Sequence, residues 1–435
     1  MIEPEGRLWV GSGSLLPRGP YTWYITDLDQ RRHFAVTYAP PTEVEDIEAT
    51  EDVCIAELSK HVDDLGPGVF GIRFTEPDGP ITLLTGPEDD MTVYLNNYPL
   101  STLGLSFPVK TVYLTSLTEL DRLGPDVDLV SYAGSPSAAS TPPPATTAAF
   151  KYWFMQNGMF RTWYELNSLS RLPRDHPHIV PFDSVVLDPH TDGIVGFTTR
   201  YIPGGTLHAN NATTRPFRLA WLRQLLSAVD DLNYQYGMMH QDIAARNLLI
   251  DEADNLRIFD LNYSVMIERD YTPARDDVKG VVFTLYEIIT LDEHFRDVPH
   301  EQQDAEAVLN LVEWPRHLDV KLDADVAEFR AVLDEWVAQR RAREFFKPAE
   351  TWVRWPMMPE PPLATVPTYE YHGDGGRTKT GTTTDSRAVV ARQDLVELGA
   401  GYWEWERPAS YRLKDALAKR DPVVEEEGGV KAEEV

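Results

Sequence analysis

The stretch that decides the fold begins His240-Gln241-Asp242-Ile243-Ala244-Ala245-Arg246-Asn247-Leu248-Leu249-Ile250. It passes through the acidic turn Asp251-Glu252-Ala253-Asp254-Asn255 and returns as Leu256-Arg257-Ile258-Phe259-Asp260. Two short apolar runs separated by turn residues are the signature of a β-hairpin. An antiparallel hairpin brings its open ends together, with about 5 Å between strands. Asn247 stands just before the first run and Asp260 just after the second, so one amide and one carboxylate are expected side by side. Hard oxygen donors at such a point suit Mg²⁺, which keeps its other positions for water and phosphate. Asp242 lies five residues before Asn247, close enough to reach a nucleophile held beside the metal.

Working outward, helical spacing precedes and follows the hairpin. Leu219, Leu222, Leu226, Val229 and Leu232 predict a helix from Phe217, with Gly237 as its C-terminal cap. Asp277 opens another, whose residues Val278, Val281, Val282, Leu285, Ile288 and Ile289 cover a wide face and predict full packing. A further helix is expected over Val326 to Arg341, ending in basic residues that suit a helix C-terminus. Upstream, Ala149 to Phe154 reads as a strand. A helix follows it, with Trp163, Leu166, Leu169 and Leu172 stepping by three until Pro173 stops it. Ser135 to Thr147 is rich in Ser, Ala, Pro and Thr and reads as a loop.

Residues 1–125 read as a strand-rich N-terminal extension. Its apolar runs are His33 to Tyr38, Val69 to Phe74, Ile81 to Leu84 and Met91 to Leu95, with one helical insert around Glu51 to Val62. Residues 126–345 form the domain that carries the hairpin. Residues 346–420 are a Pro-rich C-terminal extension with an aromatic island at Tyr402 to Glu406, and 421–435 an acidic tail expected to be disordered.

Composition bounds the function. The chain has 435 residues and a formal charge of −29, from 40 basic and 69 acidic side chains. That balance argues against nucleic acid or an anionic membrane surface as the main partner. A single cysteine, Cys54, excludes an intramolecular disulfide and a multi-cysteine zinc site. No run approaches the roughly 20 apolar residues of a membrane span. The acidic start Met1-Ile2-Glu3-Pro4-Glu5-Gly6 shows no secretory signal, so an intracellular protein, cytoplasmic or nuclear, is expected. On that basis the sequons at Asn211 and Asn262 are read as chance matches.

The order of elements resembles the protein-kinase superfamily, whose His-Arg-Asp loop is followed by Asn and then by Asp-Phe-Gly. Here the loop stands as His240-Gln241-Asp242 with Asn247, then Asp260-Leu261-Asn262. The resemblance implies an α+β, bilobal fold, with a small strand-rich N-lobe and a larger, mainly helical C-lobe. It implies ATP and Mg²⁺ as cofactors. Asp242 would be the catalytic base, and Asn247 and Asp260 would hold the metal. Lys151 would pair the α- and β-phosphates, clamped by Glu165. Thr198 to Gly205 would be the hinge that receives adenine, with Thr199 as gatekeeper and Arg200, Tyr201 and Ile202 beside it. Asp277 would brace the loop, and His240 would support it. The phrases His240 to Asn247, Asp276 to Gly280 and Val298 to Glu301, with Trp405-Glu406-Arg407-Pro408, further resemble uncharacterised fungal kinase-like proteins.

The sequence also departs from that pattern. No Gly-x-Gly-x-x-Gly precedes Lys151. Gly134 is followed only by Ser135, Ser137 and Ser140 as candidate phosphate contacts. Gln241 replaces the loop arginine that meets a phosphorylated activation segment. Asp260 to Asp277 leaves a short segment without Ala-Pro-Glu, and Leu261-Asn262 replaces Phe-Gly. The expected function is an ATP- and Mg²⁺-dependent phosphotransferase, with a protein Ser/Thr acceptor. A pseudokinase scaffold and a small-molecule kinase are the alternatives.

Overall fold

The computed structural model describes residues 2–412 apart from 3, 17, 18, 134–144, 344, 345 and 373–376. Gly134, Ser135, Ser137 and Ser140 lie outside the described residues, as does the acidic stretch 421–435.

The chain begins with a five-stranded sheet: β1 (Leu8–Leu15), β2 (Tyr21–Asp27), β3 (Arg32–Tyr38), then helix α1 (Thr50–His61), β4 (Gly71–Phe74) and β5 (Thr82–Leu84). The strands lie in sequence order, and only β3 and β4 run parallel. A crossover through α1 allows that parallel pair. Trp23, Ile25, Phe34, Val36, Ile72 and Phe74 of the sheet bury against Cys54 and Leu58 of α1.

A second sheet follows. After β6 (Val93–Leu95), which stands apart from it, its strands begin with β7 (Tyr98–Pro99), β8 (Thr111–Tyr113), β9 (Thr118–Gly124), β10 (Val127–Ala133) and β11 (Ala145–Tyr152). Helix α2 (Met159–Leu169) precedes β12 (Phe182–Leu187) and β13 (Gly193–Arg200). The order is β8-β12-β13-β11-β10-β9, with β7 on β13. The expected cut at 125/126 falls in the β9–β10 turn, and the sheet takes β7, β8 and β9 from before it. The loop expected over Ser135 to Thr147 needs one correction. Ala145, Thr146 and Thr147 pair with Ala133, Tyr132 and Ser131, because their small side chains fit an antiparallel ladder. The strand they open ends at Tyr152 and not at Phe154.

The helical part comprises α3 (Leu219–Asp230), β14 (Met238–Met239), the hairpin β15 (Leu248–Ile250) and β16 (Leu256–Ile258), β17 (Val265–Met266), α4 (Ile267–Asp270), α5 (Asp277–Thr290), α6 (Ala305–Leu309) and α7 (Val326–Ala342). α5 is buried on nearly every face, as its spacing predicts. Asp276 caps it, its side chain accepting from Val278 N at 2.7 Å. Leu222, Leu225, Val229, Val281, Phe283, Phe329 and Leu333 share one core with Trp163, Leu166 and Phe197. That continuity fixes α2 and the second sheet against the helices.

The C-terminal extension also packs down. It holds β18 (Leu363–Tyr371), β19 (Arg377–Ser386), β20 (Val389–Ala391) and α8 (Arg392–Leu398). The β18–β19 hairpin was not assigned from sequence, since a Thr-rich strand carries little hydrophobic pattern. β20 pairs with β6. Trp405 stacks on Tyr152, ring centroids 5.4 Å apart. Arg407 donates to Asp128 and Glu119, each at 2.8 Å.

A candidate nucleotide cleft with paired charges

Lys151 sits one residue from the end of β11, opposite Val127 on one side and Phe197 on the other. Gly158 turns the chain into α2 with φ 77°, a left-handed conformation that glycine adopts without a Cβ penalty. Two turns along α2, Glu165 is 3% exposed and faces the sheet. Its Oε2 accepts from Lys151 Nζ at 2.5 Å, and its Oε1 accepts from Leu261 N at 3.2 Å. Lys151 also pairs with Asp260. One carboxylate on α2 thus reaches both the lysine and the backbone just past Asp260.

The hairpin forms in the expected register, with Leu248 opposite Ile258 and Ile250 opposite Leu256. Phe259 N donates to Asn247 O at 3.2 Å, which ties the two open ends. Asp260 adopts φ 63°, ψ 61°, the left-handed region that Asp tolerates better than most residues. Asn247 Nδ2 donates to Asp242 O and to Asp242 Oδ2, both at 2.8 Å. Arg246 pairs with the other oxygen of Asp242.

The loop is braced from below. Asp277 is 1% exposed. It accepts from His240 N at 2.9 Å, Gln241 N at 2.7 Å and Asn233 Nδ2 at 2.8 Å. His240 Nδ1 accepts from Asp242 N at 3.3 Å, leaving Nε2 to donate to Phe259 O at 3.0 Å. His240 therefore supports the loop and does not face the cleft. Asn233 was not foreseen. It reaches the brace because α3 continues in a π-turn over Asp231–Gln235, which no spacing rule signals.

Charge follows this geometry. Burial works against the Lys151 ammonium, but Glu165 and Asp260 outweigh it and hold its pKa above the usual lysine range. Burial pushes the Asp260 carboxyl up, yet Lys151 pulls it below its ordinary value. Burial raises the Glu165 carboxyl against the pull of Lys151. Burial also raises Asp277.

Above these groups lies a cavity of about 380 Å³. Thr199, Arg200, Tyr201 and Ile202 line it, together with Lys151, Glu165 and Asp260. Thr198, between two lining residues, turns the other way and donates to Asp183 Oδ2 at 2.8 Å. Phe197 and Leu249 add apolar wall, as do Leu123 and Val127. The last two went unread in the sequence. They flank Gly124-Pro125-Asp126, a turn between alternating strands and thus a hairpin signal, well upstream of the position expected for a phosphate loop.

The polar atoms suit one kind of cation. Among the described residues no three His, Cys, Asp or Glu side chains gather as a cage. Asp260 lines the cavity, and Asn247 stands at the other open end of the same hairpin with its amide bonded to Asp242; carboxylate and amide oxygens of this kind suit a hydrated hard cation.

Comparison with known proteins finds a family model that matches part of the chain. Residues 151–321 match the model of the protein tyrosine and serine/threonine kinase family. The chain is 25% identical over 201 residues to ephrin type-A receptor 5 from Homo sapiens, covering 40% of this chain and 19% of that protein. It is 34% identical over 104 residues to CBL-interacting protein kinase 5 from Oryza sativa subsp. japonica, covering 23% and 22%. It is 33% identical over 96 residues to CBL-interacting serine/threonine-protein kinase 2 from Arabidopsis thaliana, covering 21% and 20%. The chain spans about a fifth of the length of each of these relatives. Together the findings support the protein-kinase superfamily, and a protein-kinase domain implies ATP and a divalent metal in general. Among the described residues no helix is long and apolar enough to cross a membrane.

Proposed function

We propose that the chain is an ATP- and Mg²⁺-dependent phosphotransferase of the protein-kinase type, acting on a protein Ser/Thr hydroxyl. The observation that carries this reading is the chain of contacts from Leu261 N through Glu165 and Lys151 to Asp260, with the three charged side chains lining a mostly apolar cleft. In this reading the second sheet with α2 is a small lobe, the helices from α3 to α7 are a large one, and the cleft lies between them. Strands before β7 form an appended N-terminal module. The likeness to fungal kinase-like proteins and an intracellular location belong to the same proposal.

Bound ATP supplies the phosphoryl group, with a divalent metal to offset its charge. The protein's part is positioning and electrostatics. Lys151, aimed by Glu165, presents its ammonium to the phosphates, and Asn247 and Asp260 present oxygens for the metal. Asp242 takes the proton of the acceptor hydroxyl, with Asn247 and Arg246 fixing the orientation of its two oxygens. Thr199 to Ile202 hold the adenine edge.

The test is Asp242→Asn. General-base catalysis is worth about 10²- to 10⁴-fold, so transfer to a protein substrate should fall by that factor while nucleotide binding persists. Metal-dependent transfer at the wild-type rate in this variant would remove Asp242 from the role.

A second reading has its own support. The segment after Asp260 folds back at once: β17 pairs with β14, and Trp355 N donates to Met266 Sδ at 3.4 Å. That arrangement offers little platform for a peptide and favours a small-molecule acceptor or a nucleotide-binding scaffold. Phosphate transfer to metabolite hydroxyls and none to peptides marks the former. A thermal shift with Mg²⁺-ATP and no turnover marks the latter.

A further inference from the structure

Asp242 lines a second, smaller cavity that shares no residue with the nucleotide cleft. Its other walls include Arg275, near the end of the segment that follows Asp260, and Lys279 in the first turn of α5. Arg296 and His300, from the stretch after α5, complete the basic side. Arg296 is a support: it pairs with Glu287 at 2.5 Å and donates to the carbonyl of Ile243, the neighbour of Asp242, at 3.2 Å.

The carboxylates of this cavity are already committed. Asp242 is held by Asn247 and Arg246, and Asp277 accepts from the three buried donors described above. Asp276 accepts from Val278 N at 2.7 Å and from the Tyr271 hydroxyl at 3.0 Å. Two cations are left over. Among the described residues no salt bridge joins Arg275 or Lys279 to a carboxylate. The Arg275 guanidinium carbon lies 5.5 Å from the Tyr263 ring centroid. The Lys279 ammonium donates only to backbone carbonyls, those of Ala274 and, at 2.7 Å, His300. A cation in the first turn of a helix also stands against the helix dipole. Burial holds the Lys279 ammonium below its ordinary pKa, and Arg275 and Arg296 add to this against the pull of Glu301. In a chain of net charge −29, two such cations beside Asp242 form a local field of the opposite sign, which draws in an anion.

We propose that Arg275 and Lys279 form an anion subsite beside Asp242, so that the preferred acceptor is a Ser/Thr hydroxyl flanked by an anionic side chain, either an Asp or Glu carboxylate or the phosphate of a residue already modified. This deepens the phosphotransferase reading above and rests on it.

Initial rates of the full chain with Mg²⁺-ATP test it, on peptide libraries that share a central Ser or Thr and carry Asp/Glu, phosphoserine, Asn/Gln or Lys at the flanking positions. Wild type should favour an anionic flank over the neutral one by about tenfold in kcat/KM, as one charge-assisted hydrogen bond supplies. The Asp/Glu and phosphoserine sets then show which anion the subsite takes. Arg275→Gln and Lys279→Gln should each cut that ratio by about threefold or more, and Arg275→Glu should turn the preference toward Lys. The ratio is taken within each variant, so a loss of folded protein does not imitate the effect. Equal transfer to anionic and neutral peptides by wild type, or a preference that survives in all three variants, overturns the subsite and leaves the phosphotransferase reading standing. No transfer to any peptide removes the protein acceptor and the subsite with it. A thermal shift with Mg²⁺-ATP in that case keeps the nucleotide cleft, and no shift removes the phosphotransferase reading as well.

Discussion

Two hairpins face each other across the cleft, and they are built on opposite plans. The floor hairpin, β15–β16, is short and buried, and it is tied at its open end, where Phe259 N donates to Asn247 O. The roof hairpin, β9–β10, is longer, and its closed end lies beside Lys151, with Val127 directly opposite it. The floor is held by neighbours from its own part of the chain, chiefly Asp277 through the loop backbone. The roof is held from outside, by Arg31 from the first sheet and by Trp405 and Arg407 from the far end of the chain. A floor with local supports and a roof with remote ones can vary independently, so the roof beside Lys151 can change while the residues below it stay in place.

That contrast can be broken experimentally. The floor should be the more brittle of the two. Asp277→Ala strips the acceptor from three buried donors, and breaking such a buried charged network costs about 3–5 kcal/mol. Urea unfolding that shows less than about 1 kcal/mol of loss would mean that the loop has other support. Next comes the remote support of the roof. Trp405→Ala removes a buried indole from the Tyr152 and Phe154 rings, at a cost of about 3 kcal/mol. If the roof depends on it, nucleotide affinity should fall as well, whereas an unchanged affinity would detach the extension from the cleft.

The first sheet offers a separate effect, which depends on pH. Burial, with the charge of Arg392, depresses His33 from 6.5 to about 4. The folded state then binds less proton than the unfolded chain between those values. The contribution is full above about pH 6.5 and is lost as pH falls toward 4, at up to about 1.4 kcal/mol per pH unit. His33→Gln should flatten the stability curve in that window. A wild-type curve that is already flat there would place His33 in water. The smallest effect concerns Gly124. A Cβ there meets nothing within 4 Å, and its φ is not positive. Gly124→Ala should therefore change stability by less than about 0.5 kcal/mol and leave nucleotide affinity as it is. A large loss of affinity would show that this glycine lets a phosphate approach after all.

The same contrast explains what could be read without a structure. Asp242, Asn247 and Asp260 lie within one short stretch, and hairpin geometry alone brings Asn247 and Asp260 together. Lys151 and Glu165 depend on a strand and a helix whose spacing is plain, and they meet as expected. The roof went unread because Leu123 and Val127 are ordinary residues until the sheet order sets β10 beside β11. Strand order is a long-range property, and local pattern carries little of it. The same holds for Arg31, Trp405 and Arg407, whose meeting at Tyr152 and Asp128 joins segments from both ends of the chain.

That meeting has a consequence for how the molecule comes into being. During synthesis the floor hairpin, its brace and the helices around it can settle once α7 has emerged, because their partners are already made. Tyr152 must wait for Trp405 and Arg407, which are translated near the end. At roughly 5–20 residues per second, about ten to fifty seconds separate Tyr152 from its last supports. The roof is braced late, so a nascent or prematurely ended chain carries the cleft residues beneath a roof that lacks its outer supports.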